Sequence, residues 1–357
     1  MNKKITILGI ESSCDETAVS IIEENHNNKL KILSNIVSSQ VDVHKKFGGV
    51  VPELAARSHI EKIDLIAKKA INESKVKIED IDAIAATAGP GLIVCLSVGL
   101  NFGKTIACFL NKPFIAVNHL EGHALSPKLN SEINYPYLLL LISGGHTQFL
   151  NVQGLGKYKR LGTTIDDAVG EAFDKTAKLL GVEFPGGPII EKYAKLGDEN
   201  KFKLPKPIIN KGGCNLSFAG LKTAVLKISK KIKTKKEKYD LAASFQRTIE
   251  EILLKKTKIA FSEFKKNNTN KKNIFVIAGG VASNNKIRKK LIKLSLKEKF
   301  EPIFPPINLC SDNAAMIAMV GLEKFKQNQF DDLSFPAKPR WQLDENAAFL
   351  KGAGVKI

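Results

Sequence analysis

The chain has 357 residues, 43% hydrophobic and 25% charged, which is the balance of an ordinary globular protein. At about 150 residues per domain the length suits two domains, and a chain of this size buries roughly three quarters of its unfolded surface without needing staples. Disorder, collagen and coiled coil are excluded by these figures. The unbroken apolar runs, such as Tyr137 to Ile142, fall far short of the about 18 residues a membrane span needs.

Met1 to Lys4 followed by Ile5 to Ile10 has the outline of a signal peptide, but Glu11 and Asp15 cut the apolar stretch short, so the chain is expected in the cytoplasm. The five cysteines are scattered, odd in number and without a C-x-x-C pair. A disulfide framework and a cysteine zinc site are both disfavoured, and these side chains read as small buried hydrophobes. The net charge is +19, and the segment from Lys222 to Lys299 carries 23 basic against 6 acidic residues, a net of +17. Such an excess attracts polyanions. Only five of the 55 basic residues are Arg, however, and a lysine excess equally suits solvated helix faces.

In chain order, Lys4–Ser12, Thr17–Glu23 and Lys31–Gln40 read as strands. A helix follows from Pro52 to about Asn72, with Leu54, Ile60, Ile63, Ile66, Ala67 and Ala70 at three- and four-residue steps. Ile81–Thr87 reads as a buried strand ending in Gly89-Pro90-Gly91, then a helix to about Phe109, then strand Phe114–Asn118 entering a helix with His119 and His123. The plan then restarts. Tyr137–Ile142, Gln148–Val152 and Tyr158–Leu161 are strands, followed by helices near 166–180, 187–196 and 238–266. Strand Asn273–Ala278, a helix near 286–299, strand Pro302–Asn308 and a helix from Asp312 to Gln327 complete it. The expected fold is therefore α/β, two lobes built on one plan with a cleft between them. Residues 1–130 form the lobe with the histidine pair, and 131–357 the lobe with the glycine loops and the basic segment.

Three constellations carry chemistry. His119 and His123 lie at i and i+4 on one helix turn, a spacing that lets both rings reach one metal ion. Leu120, not Glu, follows the first histidine, so the zinc-protease pattern H-E-x-x-H is not met. Asp312, in Ser311-Asp312-Asn313, either caps the helix it opens or completes a two-histidine, one-carboxylate set suited to ferrous iron or zinc. Two glycine turns follow apolar strands, Ser143-Gly144-Gly145-His146-Thr147 and Gly279-Gly280-Val281-Ala282-Ser283-Asn284. Neither fits the P-loop or the dinucleotide fingerprint, but at equivalent points of a repeated plan they suggest one nucleotide. Asp166 and Asp167 read as a cap and a first-turn anion. Asp174 and the turn Phe184–Pro188 read as partners of a ribose, with the acidic turn Glu11–Glu16 facing the ligand from the other lobe.

These motifs, with Ile10-Glu11-Ser12-Ser13-Cys14-Asp15-Glu16-Thr17, Phe47 to Ala55, Gly170 to Lys175 and Cys310 to Asn313, together resemble the TsaD family, the tRNA N6-adenosine threonylcarbamoyltransferases formerly called glycoproteases. The resemblance covers residues 8 to about 318. It implies the actin/Hsp70/sugar-kinase (ASKHA) fold. It also implies His119, His123 and Asp312 as ligands of one divalent metal, Fe2+ or else Zn2+. Leu141, Ile142, Ser143, Gly144 and Gly145 would surround the carbamoyl-adenylate, and Asp174, Gly187 and Asn284 its adenosine. The implied reaction moves threonylcarbamoyl from threonylcarbamoyl-AMP to N6 of the adenosine 3′ of the anticodon in tRNAs reading ANN codons. A TsaB-type paralogue and a TsaE-type ATPase are the implied partners, and no membrane. Asn285 stands where the family usually has Arg, and Ala314 where it often has Gly. No residue identifies itself as the base for the amine. The alternatives are an actin-fold ATPase or kinase, which needs no histidine pair, and a non-catalytic scaffold in a tRNA complex.

Overall fold

The computed structural model describes residues 4–268 and 272–348. In its first part the apolar runs become strands β1 (Ile5–Glu11), β2 (Glu16–Glu24) and β3 (Leu30–Ser39), then the short helix α1 (Val41–Lys45) and α2 (Pro52–Ser74). β4 (Ala83–Gly89), α3 (Ile93–Leu110), β5 (Phe114–Asn118) and α4 (His119–Leu125) follow. The sheet order is β3-β2-β1-β4-β5, antiparallel through β3-β2-β1 and parallel through β1-β4-β5. α2 and α3 cover one face, burying Ile63, Ala67, Ala70, Leu100 and Ala107 with Leu8, Ile10 and Ile84. α3 qualifies by length and composition as a membrane-crossing helix, which the search for unbroken apolar runs missed because Ser97, Asn101 and Lys104 interrupt it. Its inward stripe is tied into this core: a Cβ at Gly103 would meet Ala86 Cβ at 2.9 Å, and one at Gly99 would meet Ser12 Oγ at 2.3 Å.

The second part repeats the order. β6 (Tyr137–Ile142), β7 (Thr147–Gly154) and β8 (Lys157–Thr163) form a meander, followed by α5 (Val169–Leu179), α6 (Gly186–Ala194), α7 (Ala219–Ser229) and α8 (Lys235–Asn267). β9 (Ile274–Ala278), α9 (Asn285–Lys297) and β10 (Glu301–Ile303) complete a sheet ordered β10-β9-β6-β7-β8, again parallel only on the β6-β9-β10 side. Its core is aromatic: Phe261 stacks on Phe300 at 3.9 Å and meets Phe275 edge-on at 4.9 Å. β10 is far shorter than the expected Pro302–Asn308 strand, because Pro302, Pro305 and Pro306 cannot donate to a ladder. α7 was not foreseen at all.

The last helix, α10 (Ala314–Lys326), does not stay with the second part. By contact the described residues divide into one unit reaching to Ile133 and including Ser311–Glu345, and another comprising Asn134–Cys310 and residues 346–348. The expected boundary near 130 lies close to the first break, but Ser311–Glu345 departs from the expected 131–357 lobe. The reason is packing. Residues Ala314 to Leu322 are buried, and α10 lies so close to β1 and β4 that a Cβ on Gly9 would sit 2.4 Å from Ala314 O, and one on Gly321 2.6 Å from Ala85 Cβ. After α10 the tail clamps the same sheet: Asp331 Oδ2 accepts from Ala116 N at 2.8 Å and Lys338 N donates to Ala88 O at 2.7 Å.

Candidate active site

The parallel strands of the first unit all end at one edge, and their carboxyl ends supply a cluster. β5 ends at Asn118, whose Oδ1 accepts from Leu120 N at 2.9 Å and caps α4, while its Nδ2 donates to Trp341 O at 3.1 Å. The cap fixes α4 so that the His119 and His123 rings lie 4.8 Å apart and nearly perpendicular. Gly122 between them allows α10 to approach, since a Cβ there would meet Ile317 Cδ1 at 3.0 Å. At the head of α10 the N-cap is Asn313, its side chain accepting from Met316 N at 3.2 Å. Asp312 is thus not the cap. Its Oδ1 lies 3.0 Å from His123 Nε2 and 3.5 Å from His119 Nε2.

One donor atom from each of His119, His123 and Asp312 lies within 4.8 Å of the others, so the three form a candidate metal site contained in the first unit. The donor set suits a divalent ion. Burial opposes charge on His119, but the carboxylates of Glu11 and Asp312 overcome it and push its pKa up to about 9. His123 Nδ1 is buried with no hydrogen-bond partner among the described residues. Burial, with the charges of Asp15 and Asp312, pushes the neighbouring Cys14 thiol well up.

Sequence reasoning placed Glu11 in a ligand-facing turn and missed its real position. It ends β1 almost wholly buried, with Oε2 3.0 Å from His119 Nδ1 and 2.6 Å from Thr87 Oγ1, and Oε1 2.5 Å from Ser13 N. The available signal was a carboxylate closing an otherwise apolar strand, which must find partners.

In the second unit β6 and β9 are parallel neighbours paired Leu141 to Ala278, and both glycine loops leave from their carboxyl ends. Gly279 has φ +96°, and a Cβ on it would lie 2.5 Å from Ile142 O. Only glycine fits there. Ser143 O and Gly144 O accept from Gly170 N and Glu171 N at the start of α5, at 3.2 and 3.1 Å. The adjoining N–H groups of Gly144 and Gly145 therefore point away from α5, and beside Gly144, Gly145, Gly187 and Gly280 no atom lies within reach of an added Cβ. Such open backbone suits a phosphate or sugar. Leu141 and Ile142 are fully buried, leaving only their backbone for a ligand. Asp174 Oδ1 accepts from Gly186 N at 2.8 Å, holding the turn before Gly187. Asn284 caps α9 through Oδ1 and donates to Gln246 Oε1 at 3.2 Å. Asn285 N donates to Glu191 of α6 at 3.0 Å, drawing the Gly187 and Asn284 segments together. Neither Asp166 nor Asp167 caps α5, whose N-cap is Ala168: Asp166 accepts from Phe218 N and Ala219 N at the head of α7, and Asp167 pairs with Lys175 of α5.

Residues 31–319 match the family model of TsaD, tRNA N6-adenosine threonylcarbamoyltransferase. The chain belongs to that family. A tRNA N6-adenosine threonylcarbamoyltransferase from Pelagibacter ubique (strain HTCC1062) is 79% identical over 357 residues, covering all of both chains. One from Rickettsia rickettsii (strain Sheila Smith) is 56% identical over 345 residues, 96% of this chain and 99% of its own. In three dimensions the chain is similar to T. kodakarensis HypF, with TM-score 0.62 and 14% identity over 91% of this chain and 48% of that one, a likeness of fold alone. The full-length HypF structure in its phosphate- and nucleotide-bound form gives TM-score 0.59 at 14% identity, covering 92% and 47%. The duplicated sheet plan is accordingly the ASKHA fold. The activity is that of a transferase acting on tRNA, threonylcarbamoyl modification of N6 of adenosine.

Proposed function

We propose that the donor is threonylcarbamoyl-AMP, that the acceptor is the adenosine 3′ of the anticodon in tRNAs reading ANN codons, and that His119, His123 and Asp312 hold one divalent ion, Fe2+. The observation that supports the ligand set best is Asp312 Oδ1 within 3.5 Å of both Nε2 atoms while Asn313 does the capping. When bound, the ion supplies Lewis acidity toward oxygens of the acyl donor. The exocyclic amine of adenine is a poor nucleophile, so the remaining work is orientation and stabilisation of the leaving group. We assign the adenosine part of the donor to Asp174, Gly187 and Asn284, and the phosphate to the N–H groups of Gly144 and Gly145. Those donors are aimed away from α5 and are set before the reaction, so they meet charge growing on AMP without rearranging. The amine forms the new C–N bond and gives up one proton to water, and AMP departs with the electrons of the broken C–O bond.

The assignment is tested by incubating the protein with tRNA, threonine, bicarbonate, ATP and the other pathway proteins, a TsaB-type paralogue and a TsaE-type ATPase in a cytoplasmic setting. Mass spectrometry of the digested tRNA should show the modified nucleoside. No product in the complete mixture would overturn it.

For the tRNA backbone we assign the exposed lysines from the end of α7 to the head of α8, Lys227, Lys230, Lys231, Lys233, Lys235 and Lys236, of which Lys236 also pairs with Asp240. Further along the basic segment more cations are matched by acids, such as Lys266 with Glu263 and Lys290 with Glu250. Neutralising Lys230, Lys231, Lys235 and Lys236 together should weaken tRNA binding and flatten the slope of log affinity against log salt by up to about three, with metal content unchanged. Unaltered affinity would return these lysines to a merely solvated face.

A further inference from the structure

We infer that Glu11 is a positioning residue for the metal site, fixing which nitrogen of His119 is free to bind. The inference rests on the ligand assignment above and adds to it a carboxylate that no ligand pattern contains.

The geometry is one-sided. Glu11 Oε2 faces His119 Nδ1 at 3.0 Å, and the opposite ring nitrogen, Nε2, is the one turned to Asp312 at 3.5 Å. Glu11 therefore lies behind the ring and is not a fourth ligand. Its own position is set by two further donors: Thr87 Oγ1 from the end of β4 at 2.6 Å, and Ser13 N from the turn after β1 at 2.5 Å. Ser13 Oγ lies 3.2 Å from His119 Nδ1 as well. Glu11 is 1% exposed and His119 8%, so water does not compete for these contacts. An acceptor-only carboxylate this close to Nδ1 requires that atom to carry the hydrogen, since two lone pairs would otherwise face each other. With Nδ1 protonated, the lone pair of a neutral ring is on Nε2, aimed at the candidate ion. A carboxylate behind a ligating imidazole also makes the ring more basic and holds its orientation.

His123 supplies the contrast. Its Nε2 faces Asp312 at 3.0 Å, but its Nδ1 has no partner among the described residues. Of the two imidazoles, only His119 is oriented from behind, and the three elements that orient it are β1, β4 and the turn after β1. The edge of the sheet thereby decides the tautomer of a residue on α4.

The test measures Co2+ binding to metal-stripped protein under anaerobic conditions, by calorimetry and by the visible absorption of the bound ion. Glu11→Gln keeps the shape and removes the charge, and should lower Co2+ affinity by about 10- to 100-fold, with an altered absorption band and an unchanged circular dichroism spectrum. Glu11→Asp should recover part of the loss. In a His119→Ala background Glu11→Gln should have no further effect, because the ring through which it acts is gone. Thr87→Val, which leaves the carboxylate in place with one donor fewer, should produce a smaller loss in the same direction and serves if Glu11→Gln fails to fold. Affinity within twofold of wild type for folded Glu11→Gln and Thr87→Val would overturn the inference. So would an equal loss with and without His119. If wild type and His119→Ala bind Co2+ alike, it is the ligand assignment itself that has failed.

Discussion

Replacing His119 or His123 with alanine should weaken metal binding steeply, to a residual affinity still measurable at high Co2+, and abolish threonylcarbamoyl transfer. Each substitution leaves one imidazole and one carboxylate, too few to hold a divalent ion tightly against water. A bound cation contributes several kcal/mol of charge stabilisation in reactions of this kind, and each about 1.4 kcal/mol is tenfold in rate, so losses of roughly a thousandfold or more are expected. Both variants should also melt earlier than wild type, for different reasons. His123 is fully buried on α4 and its removal leaves a cavity. Removing His119 leaves the buried Glu11 carboxylate without the ring it faces at 3.0 Å. His26→Ala, on the turn after β2, should change neither metal content nor transfer. Full activity in both site variants would end the metal reading.

The second large effect should come from a residue that touches neither ion nor substrate. Gly9, in the middle of β1, has α10 directly above it: an added Cβ would lie 2.4 Å from Ala314 O and 2.6 Å from Ala318 N. Both atoms are helix backbone and cannot step aside without moving the helix. Gly9→Ala should cost about 1–3 kcal/mol or more of stability, the usual penalty for overpacking a close-packed interior. It should also weaken Co2+ binding, because α10 begins two residues after Asp312 and carries that carboxylate with it. Gly212→Ala, where nothing lies within 4 Å of the added atom, should change stability by less than about 0.5 kcal/mol. Chemical denaturation and the same Co2+ titration check both. A Gly9→Ala protein with wild-type stability and affinity would contradict the packing of α10 on β1.

Much of the fold could be read from the residues, for local reasons. β5 and β6 were placed to the residue because each is an unbroken apolar run with a sharp limit, Asn118 as a cap in one case and Ser143 opening a glycine turn in the other. α7 escaped because Ala219–Ser229 follows a long irregular stretch, and its start is fixed by Asp166, some fifty residues upstream, rather than by a neighbouring cap. The span Pro302–Asn308 looked extended, but prolines limit how much of it can join a ladder.

The candidate site was legible only in part. The i, i+4 histidines announced themselves by spacing. Asp312 and Asn313 are both capping residue types, and which one caps is a matter of backbone path that composition does not record. Glu11 stood in view as an acid at the end of an apolar strand, yet its partner is more than a hundred positions away. The return of α10 to the first unit, on which the meeting of Asp312 with the histidines depends, rests on Gly9 and Gly321, whose small size has meaning only once the partners are known.

The most direct test is to strip the protein of metal anaerobically, return Fe2+ in measured amounts, and follow transfer of threonylcarbamoyl from its adenylate to tRNA alongside bound iron. Activity should be absent in the stripped protein and should rise in proportion to iron up to one equivalent per chain, with no recovery in Asp312→Ala. Full transfer by stripped protein, or recovery of the Asp312→Ala variant to wild-type rate, would contradict the three-residue cation site.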